Sequence, residues 1–190
     1  GASSTVPCVA RALAQCYGRM VNEIARETQS RHRHLSRPSV VVWNRAGLVN
    51  ADGAALVGEA ACDAFSLGVA GLRHVTFGLG GNGVGEPHFA ALKAAGARDV
   101  FVAFDNDDPG NKAAEPLSRC LMAEGFAVYR VRVPAILKDI NALAVDAGAE
   151  APAVLADLIR AAEWVGGSRP VPVPALPSSP PEMPAPAQIA

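Results

Sequence analysis

Aromatic residues are scarce in this chain. Phe, Trp and Tyr make up 5% of its 190 residues, and charged residues 18%. No apolar run approaches the roughly 18 residues that a membrane-spanning helix needs, so no membrane partner is expected. The first residues lack a basic start followed by an apolar block, so no signal peptide is expected. Cys8, Cys16, Cys62 and Cys120 never form a C-x-x-C pair. That spacing argues against zinc in this chain and against a disulfide framework, and a reducing, cytoplasmic setting is the simplest expectation. Cys62 and Cys120, in apolar helix-like surroundings, read as ordinary core thiols. The net charge is only −1, so bulk charge points to no partner.

Hydrophobic residues make up 50% of the chain, enough for a real core, and alanine is abundant. That composition suits helices packed on a sheet. The length fits one domain of ordinary size plus tails.

The chain is organised around residues 99–114, DVFVAFDNDDPGNKAA. Val100 to Phe104 is an unbroken apolar run, as expected of a parallel strand buried on both faces. It ends in Asp105, Asn106, Asp107 and Asp108, and a helix-compatible segment opens after Pro109 and Gly110. Ionised carboxylates this close repel one another. A Mg²⁺ ion, which prefers hard oxygen ligands, would remove that cost. The carboxyl end of a buried parallel strand is also where open α/β sheets place ligands. The plainer reading is a polar turn with an Asp cap on the next helix.

Charge is unevenly spread. Before Ala51 stand Arg11, Arg19, Arg26, Arg31, Arg33, Arg37 and Arg45, against only Glu23 and Glu27. A basic flank beside an acidic site suits a polyanion substrate, whereas a solvated basic helix face is the plainer alternative.

In chain order, apolar spacing from Val6 to Gln29 predicts an amphipathic helix, which Gly18 weakens. RHRHLSRP follows as a basic loop, where His32 and His34 lack a completing metal ligand, and Ser39 to Trp43 as a short β-rich run. Ala54 to Gly58 reads as a strand ending in Glu59. The helical pattern of Ala60 to Val69 puts Asp63 four residues beyond Glu59, on one face if the helix begins at Glu59. Leu72 to Leu79 reads as a second strand running into a glycine-dense loop. There Gly78, Gly80 and Gly83 satisfy G-x-G-x-x-G, but a strand already precedes this one, so the dinucleotide fingerprint is out of place. A helix is expected at Pro87 to Ala95, then the Val100 strand, then a helix over Gly110 to Ala123. Phe126 to Val133 alternates as a fourth strand nearer an edge. Lys138, Asp139 and Asn141 open a short helix, with Asp139 either a helix-start residue or part of the acidic edge. Ala151 to Trp164 reads as the last helix. Alternating strands and helices imply a parallel sheet with right-handed crossovers.

Two motifs then carry a family resemblance. LVGEAACDAFSLGVAGLRHV is similar to the glutamate motif, and FVAFDNDDPGNKAA to the D-x-D motif, of the Toprim domain shared by DnaG-type primases, topoisomerases and several nucleases. The later VRVPAILKDINAL makes the chain most similar to primases, including the phage and mitochondrial primase–helicase group. The resemblance covers roughly residues 54–164. Ala60 departs from the glycine common after the glutamate, which is tolerable if the backbone there is helical. The resemblance implies an α/β Toprim (Rossmann-like) fold of about four mainly parallel strands flanked by helices, spanning residues 54–165. A basic N-terminal helical segment, residues 1–53, would be the remnant of a primase N-terminal subdomain, while residues 166–190 read from their proline content as a linker or tail.

It also implies a chemistry. Glu59, Asp105 and Asp107 would be catalytic and hold Mg²⁺ or Mn²⁺, with Asp139 and Asp63 as further metal groups. Arg45, Lys112 and Lys138, with Arg31, Arg33 and Arg37, would contact nucleotide or template. The partners implied are a single-stranded DNA template, nucleoside triphosphates, and a zinc module and replicative helicase outside this chain. The implied reaction is primer synthesis. A nuclease using water, or a non-catalytic nucleic-acid-binding module, is the alternative. A topoisomerase needs a nucleophilic tyrosine, and Tyr17 and Tyr129 read more simply as packing residues.

Residues 168–190 hold more than half of the 15 prolines and cannot bury a core. Their deletion is expected to leave the melting temperature nearly unchanged, as differential scanning calorimetry would show. A large loss of folded protein would mean that the tail docks.

Overall fold

The computed structural model describes residues 42–78 and 83–167 in full, and residues 4–9, 13–19 and 32–34 at the level of the backbone. Among these residues no helix is long and apolar enough to cross a membrane.

The main sheet has five strands: β4 (Ala54–Gly58), β5 (Val75–Phe77), β6 (Asp99–Ala103), β7 (Ala127–Arg130) and β8 (Glu163–Gly166), in the spatial order β5-β4-β6-β7-β8. The first four are mutually parallel, and β8 runs antiparallel to β7. Every residue of β4 and β6 is buried, which is why both read as continuous apolar runs. Ala54, Leu56, Phe101 and Ala103 face one layer, and Ala55, Val57, Val100 and Val102 the other.

Helices cover both faces. α1 (Ala61–Val69), α4 (Ile140–Ala147) and α5 (Ala151–Arg160) pack through Ala64, Leu67, Leu143, Leu155 and Ile159 on the first face. α2 (Glu86–Ala94) and α3 (Asp108–Ala123) pack through Leu92, Leu117 and Leu121 on the second. Tyr129 stacks on Phe101 at 4.7 Å, the packing role expected of it.

Three expectations change. Residues Ser4–Val9 (β1) and Leu13–Arg19 (β2) form an antiparallel pair extended by His32–His34 (β3), not the N-terminal helix. Thr5, Val6, Val9 and Tyr17 favour strands, and cross-strand pairing is invisible to spacing within one segment. Second, α5 stops at Arg160, and Trp164 belongs to a strand, because the free edge of β7 offers pairing groups. Third, Cys120 is exposed on α3 and Cys62 half-buried on α1, so neither is a core thiol. Of the β-rich run at Ser39 to Trp43, residues 39–41 lie outside the described residues, and Val42 and Trp43 are not in a strand.

Candidate active site

The central strands β4 and β6 are neighbours, with Gly58 level with Ala103. Glu59 and Asp105, each just beyond its strand, therefore emerge side by side at the carboxyl edge of the sheet. The Asp105 backbone N–H donates to Glu59 Oε2 at 3.2 Å. Glu59 lies in the turn, not on the helix, because α1 begins at Ala61. Ala60 is extended, with φ −131°, a conformation any residue adopts, so its lack of glycine is tolerated for a different reason from the helical one expected.

Asp63 sits in the first turn of α1, 4% exposed. Its Oδ1 accepts the Asn141 N–H at 3.1 Å, tying α1 to the start of α4. Asp139 caps α4, accepting the Ala142 N–H at 2.7 Å, and Asp107 caps α3, accepting the Gly110 N–H at 2.9 Å. The plainer capping roles thus hold for both. Asp139 combines its cap with the acidic edge. Carboxylate oxygens of Asp63, Asp105 and Asp139 lie within 4.8 Å of one another. Asp107 and Glu59 flank this triad without belonging to it.

The electrostatics follow from that crowding. Burial is the largest effect on Asp63 and pushes its carboxyl up to about 7, and the negative charges of Asp105, Asp139 and Glu59 add to it. Burial likewise raises Glu59 and Asp105 above the usual carboxylate range, with help from their acidic neighbours. Lys138 opposes this. Its Nζ is 3.3 Å from Asp105 Oδ2, and that carboxylate raises the ammonium pKa. The lysine side chain is 67% exposed, so the pair is a weak clamp and the ammonium can move. A half-buried group of hard oxygen donors beside one exposed ammonium fits a divalent ion of the Mg²⁺ class.

The other predicted residues are less gathered. Lys112 is exposed one turn into α3, at the same edge as Asp107. Arg45 lies in a 3₁₀ turn, Arg45–Gly47, whose preceding Asn44 donates to the carbonyls of Arg73 and Val75. Those mark the start of β5, the edge strand beside β4, and no described contact joins Arg45 to the carboxylates. Arg33 lies on β3, and Arg31 and Arg37 fall outside the described residues.

Two further residues shape the site. Arg130, read from the sequence only as one position in an alternating strand, is 5% exposed and points its guanidinium at the carboxyl end of β6. No sequence signal separates it from Arg132, which is exposed and pairs with Glu163. Gly110, expected only to open a helix, packs against the Asp105 backbone so closely that a Cβ there would overlap the Asp105 carbonyl oxygen. Alanine inside a helix ordinarily stabilises by about 1 kcal/mol over glycine. Here Gly110→Ala is expected to destabilise by about 1–3 kcal/mol, the cost of forced overpacking, measured by urea unfolding.

Parallel strands whose carboxyl edge gathers acidic groups define the class: an α/β domain with an acidic edge that fits a divalent cation. Residues 56–144 match the Toprim-like family, and the fold agrees with that match. No curated protein sequence matches the chain. Solved structures with this fold include a DNA primase domain from Pseudomonas aeruginosa, with a TM-score of 0.69 and 18% identity over 85% of this chain and 52% of that one. The zinc-binding and RNA polymerase domains of the Aquifex aeolicus primase give a TM-score of 0.65 and 19% identity over 83% and 40%. A DnaG primase catalytic domain bound to ssDNA gives 0.64 and 13% over 85% and 53%. The chain thus spans about half or less of the primase chains it resembles.

Proposed function

We propose that this chain is the Toprim part of a cytoplasmic, primase-type nucleotidyltransferase that joins nucleotides on a single-stranded DNA template. The observation that carries this reading is the gathering of Glu59, Asp63, Asp105 and Asp139 at one edge of a primase-like sheet. In the reaction a nucleotide 3′-hydroxyl attacks the α-phosphorus of a nucleoside triphosphate, and the bond to pyrophosphate breaks.

Asp105, Glu59, Asp63 and Asp139 would hold Mg²⁺ or Mn²⁺, with Asp107 bordering the set. The ion supplies Lewis-acid neutralisation of phosphoryl oxygens. The remaining work falls to the chain. Asp107 and Asp139 cap two helices and so keep α3 and α4 in place around the acidic edge. Lys138, released from Asp105, would reach the triphosphate, and Lys112 lies on the same side. Arg45, with Arg31, Arg33 and Arg37, would contact the template strand away from the reacting atoms. A zinc module and a replicative helicase, in the same polypeptide or in trans, are the proposed partners.

The test is extension or dinucleotide formation on a single-stranded template at high Mn²⁺. Strand binding should weaken as salt rises, because phosphate contacts release counterions. Metal-dependent degradation of the strand would favour the nuclease reading. Strand binding with neither reaction, even with the partner modules restored, would favour a non-catalytic module.

A further inference from the structure

Arg130 is the one cationic side chain buried among the described residues. A buried guanidinium is costly unless its donors are satisfied. Here none of the described ion pairs includes it. Its partners are oxygens at the carboxyl end of β6, just past β7 and on α3. Nη1 donates to the carbonyls of Val102 at 3.1 Å, Phe104 at 3.0 Å and Val131 at 2.9 Å. Nη2 donates to the Asp105 carbonyl at 3.1 Å and to Asn111 Oδ1 on α3 at 3.2 Å.

The place of these acceptors matters. β6 ends at Ala103 and its pairing with β4 ends at Gly58, so the carbonyls of Phe104 and Asp105 lie beyond the ladder. Buried carbonyls without partners are expensive, and Arg130 supplies theirs. The Asp105 carbonyl is thereby held between the guanidinium on one side and Gly110 on the other. Asn111 lies one residue past Gly110, so the same fork fixes the start of α3, which Asp107 caps. A lysine ammonium could keep the charge but not a planar fork reaching both groups of acceptors.

We infer that Arg130 is a positioning residue that sets Asp105 against α3 and so presets the acidic edge for its cation. This rests on the metal-binding reading above. The test uses the full chain and Mn²⁺ alone, with free Mn²⁺ followed by electron paramagnetic resonance. Far-UV circular dichroism verifies folding at the temperature used. Arg130→Lys is expected to weaken Mn²⁺ binding about 10-fold or more, as supporting-shell changes do, while the surface control Arg119→Ala leaves it unchanged. Asn111→Ala, which removes the α3 acceptor that Arg130 shares with the exposed Arg132, is expected to weaken it by a smaller factor, and it decides the matter if Arg130→Lys does not fold. Wild-type binding that persists unchanged in the folded variants overturns the inference alone. Absence of Mn²⁺ binding by the wild type overturns the metal reading and this inference with it.

Discussion

Asp105→Asn and Glu59→Gln are expected to abolish nucleotide joining, lowering the rate by at least about 100-fold, the usual cost of losing one preorganised electrostatic contact in a reacting site. Each change removes a charge with little change in shape. Asp105 is the centre of the arrangement: its carboxylate meets Lys138 and lies with those of Asp63 and Asp139, and its N–H meets Glu59. Single-turnover extension on a labelled primer–template measures the effect. Far-UV circular dichroism should show both variants folded, and their strand binding should remain, because neither change touches the basic residues proposed to contact the template. Wild-type activity in either variant would remove that residue from the reacting site. Loss of a degrading activity in the same variants would move the assignment to nuclease.

Asp63→Asn is expected to stabilise the metal-free protein strongly at pH 8 and little at pH 4. In the unfolded chain an Asp carboxyl loses its proton near pH 4. In the folded protein Asp63 keeps it up to about 7. Between those values the folded state binds more protons, so wild-type stability falls as pH rises through the window. A gap of about 3 units corresponds to about 4 kcal/mol, and relaxation around the charge leaves roughly 2–4 kcal/mol to be gained. Asparagine keeps an oxygen to accept the Asn141 N–H while removing the charge. Thermal melts at both pH values, with and without millimolar Mn²⁺, check this. Mn²⁺ should raise the wild-type melting point at pH 8, since a ligand bound only by the folded state stabilises it. Equal melting points for wild type and variant at pH 8 would show that Asp63 carries no buried charge.

Much of the sheet was legible because burial on both faces leaves a plain trace. Ala54–Gly58 appears with its expected bounds, and the Val100 strand and the helices after Glu59 and Asp105 differ from expectation by a residue or two. Acidic residues at strand ends are visible in a sequence, and a parallel α/β order implies that they share an edge. Motif spacing added the Toprim resemblance, and the fold agrees with it.

Sequence alone thus determined the α/β class, the two central strands and the acidic residues that follow them. It did so because apolar runs, caps and strand-end charges are local features. Tertiary structure decided the rest. Strand β8 forms because β7 has a free edge, and β1 and β2 form because each pairs with the other. Asp63 and Asp139 meet Asp105 because α1 and α4 pack on the same face, whereas Asp107 turns to its helix. Arg45, though a neighbour of the basic flank, lands beside the start of the edge strand β5. Arg130 and Arg132 look alike in a strand written as letters. Only the packing of α3 over β7 buries the first among the carbonyls of β6 and leaves the second in solvent.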